Sequence, residues 1–121
     1  SLYKILESCL NGKLEDIKID LDEKSYCTVV LASKGYPDGY SKGQEIKGLD
    51  DLKDTLLFHA GTKSGSNKYF VNGGRVLNVV GAGLDLKEAI EKTYKGIKRI
   101  KFDKMYYRKD IGSKGLIKER Q

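Results

Sequence analysis

The stretch from Asp85 to Ile100 constrains the fold more than any other part of the chain. Asp85 stands where a helix N-cap would, and Glu88 three residues on is the partner of a capping box. Leu86, Ala89, Ile90, Thr93, Tyr94, Ile97 and Ile100 then recur at helical spacing, an apolar stripe along one side. A stripe of this kind is stable in water only against another layer of structure. Gly96 within it costs about 1 kcal/mol relative to Ala, which points to an element packing close at that turn.

The partner layer reads as β-rich. Tyr26 to Ala32 is an unbroken β-prone run, and unbroken rather than alternating apolar character predicts a central strand covered on both faces. Thr55 to Ala60 predicts a further strand, closed by Gly61-Thr62, with 63–67 as a flexible turn. Lys68 to Val71 and Arg75 to Val80 flank Asn72-Gly73-Gly74 in the manner of a hairpin. Ile17, Ile19 and Leu21 alternate with charged residues, the pattern of a half-buried strand. Leu2, Ile5, Leu6, Cys9 and Leu10 give a short first helix, ended by Asn11-Gly12, which tolerate a left-handed backbone. The tail from Lys114 onward is charged and is expected to fray. The order of helix, strands and helix predicts an α+β fold, a small, mostly antiparallel sheet with two flanking helices. No repeat or linker interrupts the 121 residues, so residues 1–121 are expected to form a single domain.

The chain carries 23 basic and 17 acidic residues, a net charge of +6. That balance favours an anionic partner, nucleic acid or a phosphorylated small molecule. Only Arg75, Arg99, Arg108 and Arg120 are arginines, the lysines are scattered, and no run of five like charges forms a polybasic arm. Cys9 and Cys27 lie in apolar contexts without ligand spacing, and read as two small buried hydrophobes in a reducing compartment. The sequence shows no signal peptide and no apolar run of bilayer-spanning length, so a cytoplasmic location is expected. The chain enters a helical pattern directly from Ser1, which looks like a cut inside a longer polypeptide.

Residues able to carry chemistry are few. His59 is the single histidine, near a strand end, and a lone histidine more often serves structure than catalysis. No second His and no acidic cluster gives metal-ligand spacing. Lys34-Gly35-Tyr36-Pro37 places a cation, a flexible backbone and an aromatic face in one loop. Asn72-Gly73-Gly74-Arg75 sets a guanidinium directly after a turn whose N–H groups can cradle an anion. Neither stretch matches a Walker loop or a dinucleotide fingerprint, and an ordinary turn explains Gly73-Gly74 equally well. Lys104-Met105 lacks the first Met of a biotin-carrier tripeptide. Tyr106-Tyr107-Arg108-Lys109-Asp110 could stack on bases, but reads better as an amphipathic strand whose rings cover the core edge.

These stretches together resemble a known family. Val29 to Pro37, with Tyr40 and Gly43 behind it, is similar to the opening signature of the C-terminal domain of the glycinamide ribonucleotide synthetases. Phe58-His59-Ala60-Gly61-Thr62 resembles the next block, and Asn72 to Leu77 the one after it. Ala89 to Tyr94 and Met105 to Gly112 resemble the closing helix and tail. The blocks stand in the family's order from about Ser1 to Gly112, and an ordered set is far more specific than one match. Lys34, Asp38 and Asn78 depart from it, each standing where the family often has Gly.

The resemblance implies part of an ATP-grasp ligase of de novo purine synthesis, which joins glycine to 5-phosphoribosylamine through a glycyl phosphate while ATP becomes ADP and phosphate. It implies that ATP and Mg2+ or Mn2+ are held by upstream domains, that this piece packs on the ATP-grasp and N-terminal domains, and that it closes the substrate side of the active site. Its sheet is expected to be barrel-sandwich-like, as in related carboxylases. The piece alone is expected to be inactive, with no catalytic or metal-binding residue of its own. Lys34, Gly35, Tyr36, His59, Thr62, Gly73, Gly74 and Arg75 are the expected substrate-side residues, Arg75 foremost as the grip on an anionic group. The alternative expectation is a free-standing basic module that binds nucleic acid or phosphorylated ligands.

Overall fold

The structure is a computed structural model that describes residues 1–118, so Arg120 and the rest of 119–121 lie outside the described residues. Helix α1 spans Leu2–Leu10 and a single 3-10 turn spans Leu14–Asp16. Strands β1 (Ser25–Ser33), β2 (Glu45–Ile46), β3 (Thr55–His59), β4 (Thr62–Gly65), β5 (Lys68–Val71) and β6 (Arg75–Gly83) follow. Helix α2 (Leu86–Ile97), strand β7 (Met105–Tyr106) and helix α3 (Ser113–Lys118) complete the order. The fold is α+β, with the antiparallel strands divided between two open sheets, ordered β3-β6-β1-β7 and β2-β5-β4.

Helix α2 forms where its cap and period place it. Asp85 Oδ1 accepts from the Glu88 N–H at 2.7 Å, and the Glu88 carboxylate accepts from the Leu84 N–H at 2.7 Å. The return bond therefore closes on Leu84, one residue before the N-cap. The apolar stripe lies on β6 and β1. Gly81 permits the approach, since a Cβ there would stand 2.5 Å from the Ala89 carbonyl oxygen and 2.6 Å from the Thr93 nitrogen. Fully buried Thr93 completes the join. Its Oγ1 accepts from the Gly81 N–H at 2.9 Å and offers its own hydrogen to the carbonyls of Ala89 at 2.7 Å and Cys27 at 3.0 Å. Gly96 meets the edge strand, where a Cβ would lie 2.9 Å from Thr55 Oγ1. Val29, Leu31, Leu77, Val79, Ala89 and Ile97 fill the core, and Ile46 and Val71 extend it to the second sheet.

Several expectations are corrected. Strand β1 alternates, with Cys27, Val29 and Leu31 buried and Tyr26, Thr28 and Val30 exposed. Helix α2 covers one face only, and the other is left open among the described residues. On that open face Leu56, Val80 and Thr28 share one row, and Phe58, Asn78 and Val30 the next. Strands β5 and β6 form no hairpin, because Asn72-Gly73-Gly74 carries the chain from one sheet to the other. Residues 63–65 of the expected turn belong to strand β4, and the turn itself narrows to Ser66 and Asn67, both at positive φ, as a two-residue hairpin of the primed type requires. Residues 17–22 form no strand, since no neighbour supplies a ladder, and Leu21 is 84% exposed. Cys9 is exposed, while Cys27 is buried as expected. Of the tail expected to fray, residues 114–118 are helical and the rest lies outside the described residues, so the described residues hold three helices where two were expected. Helix α3 rests on α2 where Gly115 meets Leu86, and a glycine inside so short a segment hid it. Helix α1 buries no residue.

Replacing Thr93 by Val leaves the buried Gly81 N–H without its hydroxyl acceptor, and is expected to cost about 1–3 kcal/mol, read by urea unfolding with an unchanged m-value. Glu88 provides a pH test of the cap. Its hydrogen bond with Lys92, then the Leu84 N–H, hold its carboxyl below the ordinary glutamate value. The folded-state value is the lower one, so the stabilisation is complete above the unfolded value of about 4.3 and fades as pH falls through the folded one. The melting-temperature difference between the unmodified chain and Glu88→Gln should be present at neutral pH and shrink as pH falls below the unfolded-state value.

Candidate functional site

Three loops meet at one end of the four-stranded sheet. Strand β1 runs out at Ser33 into the 34–40 loop, strand β3 runs out at His59 into Ala60-Gly61, and Asn72-Gly73-Gly74 leads into β6. The loops are tied by backbone. Ser33 N–H donates to the Gly74 carbonyl at 2.8 Å, Gly61 N–H to the Arg75 carbonyl at 2.8 Å, and Asn72 N–H to the Gly61 carbonyl at 2.8 Å. Gly61 and Gly73 touch through their backbones, and a Cβ on Gly61 would stand 2.6 Å from Gly73 Cα. A side chain at either position would push the loops apart.

Tyr36 lies with its ring against Gly74, in the space a Cβ there would need. Its own loop is closed by Gly35, whose φ of +98° and contact with the Gly39 carbonyl admit no other residue without strain. Tyr40 meets Tyr36 edge-on at 5.8 Å. The Tyr36-Pro37 peptide is cis. On the neighbouring loop His59 Nδ1 and Thr62 Oγ1 are 2.9 Å apart, and the His59 ring packs on Tyr69 at 4.4 Å between centroids. The structure thus brings Gly35, Tyr36, Gly73 and Gly74 into one cluster and joins His59 and Thr62 to it through Gly61.

Arg75 follows the glycines directly. It is exposed, and its guanidinium makes no hydrogen bond or ion pair among the described residues. The Gly73 and Gly74 N–H groups likewise donate no backbone hydrogen bond among the described residues. Free amides beside a free guanidinium can hold a carboxylate or phosphate. Lys34 stands apart, its N–H bonded to the Lys104 carbonyl beside β7 at 2.8 Å. Among the described residues no three of His, Cys, Asp or Glu converge to hold a metal.

Two residues of the cluster escape a reading of the sequence. Ser33 is 2% exposed, and its Oγ has no hydrogen-bond partner among the described residues, directly beside Gly74. Its only mark in the sequence is a hydroxyl closing an apolar run. Tyr69 reaches His59 across the β4–β5 hairpin, a contact with no local signal.

The family described as phosphoribosylglycinamide synthetase, C domain, matches residues 26–114. The chain is 48% identical to a phosphoribosylamine–glycine ligase of Fusobacterium nucleatum over 113 residues, covering 90% of this chain and 26% of that protein. It is 45% identical to a bifunctional purine biosynthetic protein of Dictyostelium discoideum, covering 95% of this chain and 15% of that one. The crystal structure of a phosphoribosylamine–glycine ligase from Thermotoga maritima superposes with a TM-score of 0.71 at 32% identity, over 87% of this chain and 27% of that one. The chain therefore spans about a quarter of the length of the ligases it matches.

The contact between Tyr36 and Gly74 is open to test. Gly74→Ala puts a methyl group where the ring lies, and is expected to expel Tyr36 and cost about 1–3 kcal/mol. The Tyr36 ring resonances should move toward solvent-exposed values while those of Tyr94 stay in place. Unmoved Tyr36 resonances would show that the ring does not rest on Gly74.

Proposed function

The chain belongs to the phosphoribosylglycinamide synthetase C-domain family, and on that footing we propose that it is the C-terminal part of a phosphoribosylamine–glycine ligase. The enzyme joins glycine to 5-phosphoribosylamine with hydrolysis of ATP to ADP and phosphate, and so makes glycinamide ribonucleotide in de novo purine synthesis. ATP and Mg2+ or Mn2+ are held by the enzyme's other domains, and this domain closes the substrate side.

The observation that carries the proposal is apolar surface left uncovered. On the open face of the four-stranded sheet Leu56 is 56% and Phe58 53% exposed, and Tyr26 and Val30 stand on the same face two strands away, across β6. Leu2, Leu6 and Leu10 line a largely exposed face of α1. Contiguous exposed apolar surface marks an interface, and relatives about four times as long supply the chain to cover it. The ATP-grasp and N-terminal domains of the same enzyme are the partners in this reading. The free-standing basic module has the family match against it. No helix among the described residues is long and apolar enough to cross a membrane.

The chemistry of the loop cluster fits the substrates. Phosphoribosylamine carries a phosphate, glycine a carboxylate, and glycyl phosphate an acyl phosphate. Arg75 can take an anionic group in a bidentate grip, with the Gly73 and Gly74 amides beside it. Tyr36 and Gly35 wall the loop, and the His59–Thr62 pair holds the adjacent turn. Lys34 is the more distant cation. Preorganised donors of this kind act most strongly where closure excludes water. In the full-length ligase Arg75→Ala is expected to lower kcat/KM for phosphoribosylamine at least tenfold, about 1.4 kcal/mol or more. Thermal stability should change little, because the side chain is exposed and unpaired. Unchanged kinetics would remove Arg75 from the site.

A further inference from the structure

A second concentration of positive charge lies at the opposite end of β3. Thr55 and His59 are the first and last residues of that strand, about 13 Å apart at strand rise. Beside Thr55 is a cavity of about 130 Å³ between the edge strand and α2. Lys92 and Lys95 reach it from α2, Arg99 reaches it from the turn just past that helix while its Nη1 donates to the Asp51 carbonyl at 3.2 Å, and Lys53 reaches it from the segment before β3. Its floor is Gly96, where any side chain would run into Thr55. Thr55 Oγ1 is buried at that floor and has no hydrogen-bond partner among the described residues.

The charges do not cancel. Asp54 lines the same cavity, and Glu88 engages Lys92 at 2.8 Å. Four cations thus face two carboxylates. The C-terminal end of α2 adds the equivalent of about half a negative charge. Its last carbonyls are already taken, those of Tyr94, Gly96 and Ile97 accepting from the N–H groups of Lys98, Arg99 and Ile100. Cations in a last helical turn are ordinary in themselves. They account neither for Lys53, which lies on another element, nor for a buried hydroxyl without a partner.

We infer that the Thr55–Gly96 cavity is a phosphate-binding site, separate from the loop cluster, in which Lys53, Lys95 and Arg99 hold the oxyanion and the Thr55 hydroxyl donates to it. Free phosphate and the diphosphate of a nucleotide share this chemistry. Nothing in the inference depends on the role proposed for Arg75.

The test is a titration of the nitrogen-15-labelled 121-residue chain with inorganic phosphate, inorganic pyrophosphate and ADP, in separate arms at fixed ionic strength. Saturable shifts are expected at the amides of Thr55, Gly96 and Arg99. A Lys53→Gln, Lys95→Gln double variant should weaken binding at least tenfold, and Thr55→Val at least threefold, while Lys109→Gln leaves it unchanged. ADP tighter than phosphate at the same amides identifies a nucleotide diphosphate as the ligand, and equal or weaker ADP identifies the free ion. Shifts that never saturate, or that fall equally in the Lys109 variant, would mean general surface charge and overturn the inference. So would an unaltered Thr55→Val variant, since Val is close to Thr in shape and keeps the edge strand in place.

Discussion

Everything in this domain hangs on how closely α2 lies against β6 and β1. The approach exists because β6 carries glycine where the helix backbone passes, at Gly81 and again at Gly83, where a Cβ would stand 2.5 Å from the Ala89 nitrogen. Thr93 then makes the contact specific by bonding the helix to both central strands at once. Apolar burial drives the association, but a buried hydroxyl that serves three backbone groups admits only one register. With β6 fixed, its start is fixed too, and that start is Gly74-Arg75. The helix that sets the core thus sets the position of the candidate substrate-side loops, at the far end of the same strand.

The same arrangement leaves one face of the sheet without a cover. A domain with one covering helix and a four-stranded sheet can bury only half of that sheet, and here the second half is apolar rather than polar. Leu56 and Phe58 on the edge strand β3, with Val30 and Tyr26 across β6 on β1, are residues a solvated face does not ordinarily collect. Helix α1 repeats the pattern, with a well-formed apolar side and no buried residue. The family match begins at residue 26, after α1. The exposed apolar surface fits the proposal that this piece rests on the rest of a larger ligase.

Much of this was legible in the residues, and what was not had physical causes. Helix α2 could be read because Asp85, Glu88 and the stripe are local signals that agree with one another. The span of β1 was legible, but its second face was not, since an apolar run is the same whether the cover belongs to this chain or to another part of the enzyme. The false hairpin around Asn72-Gly73-Gly74 arose because the residues of a tight turn also suit a crossing between sheets. Strands β2 and β7 are two residues long and have no period to detect. In the candidate site, Gly73, Gly74 and Arg75 could be singled out by residue type and order. The ring of Tyr36 on Gly74, the orphan hydroxyl of Ser33 and the stacking of Tyr69 on His59 are contacts between distant residues, invisible to any local pattern.

The most direct measurement is hydroxyl-radical footprinting of the 121-residue chain and of the full-length ligase under the same dose. If the open sheet face is the surface on which the enzyme's other domains rest, oxidation of Tyr26, Leu56 and Phe58 should be strong in the isolated chain and several-fold weaker in the whole enzyme. Equal labelling of Leu56 and Phe58 in the two samples would contradict the account, because the face would then be solvated in the working enzyme and its apolar residues would need another explanation.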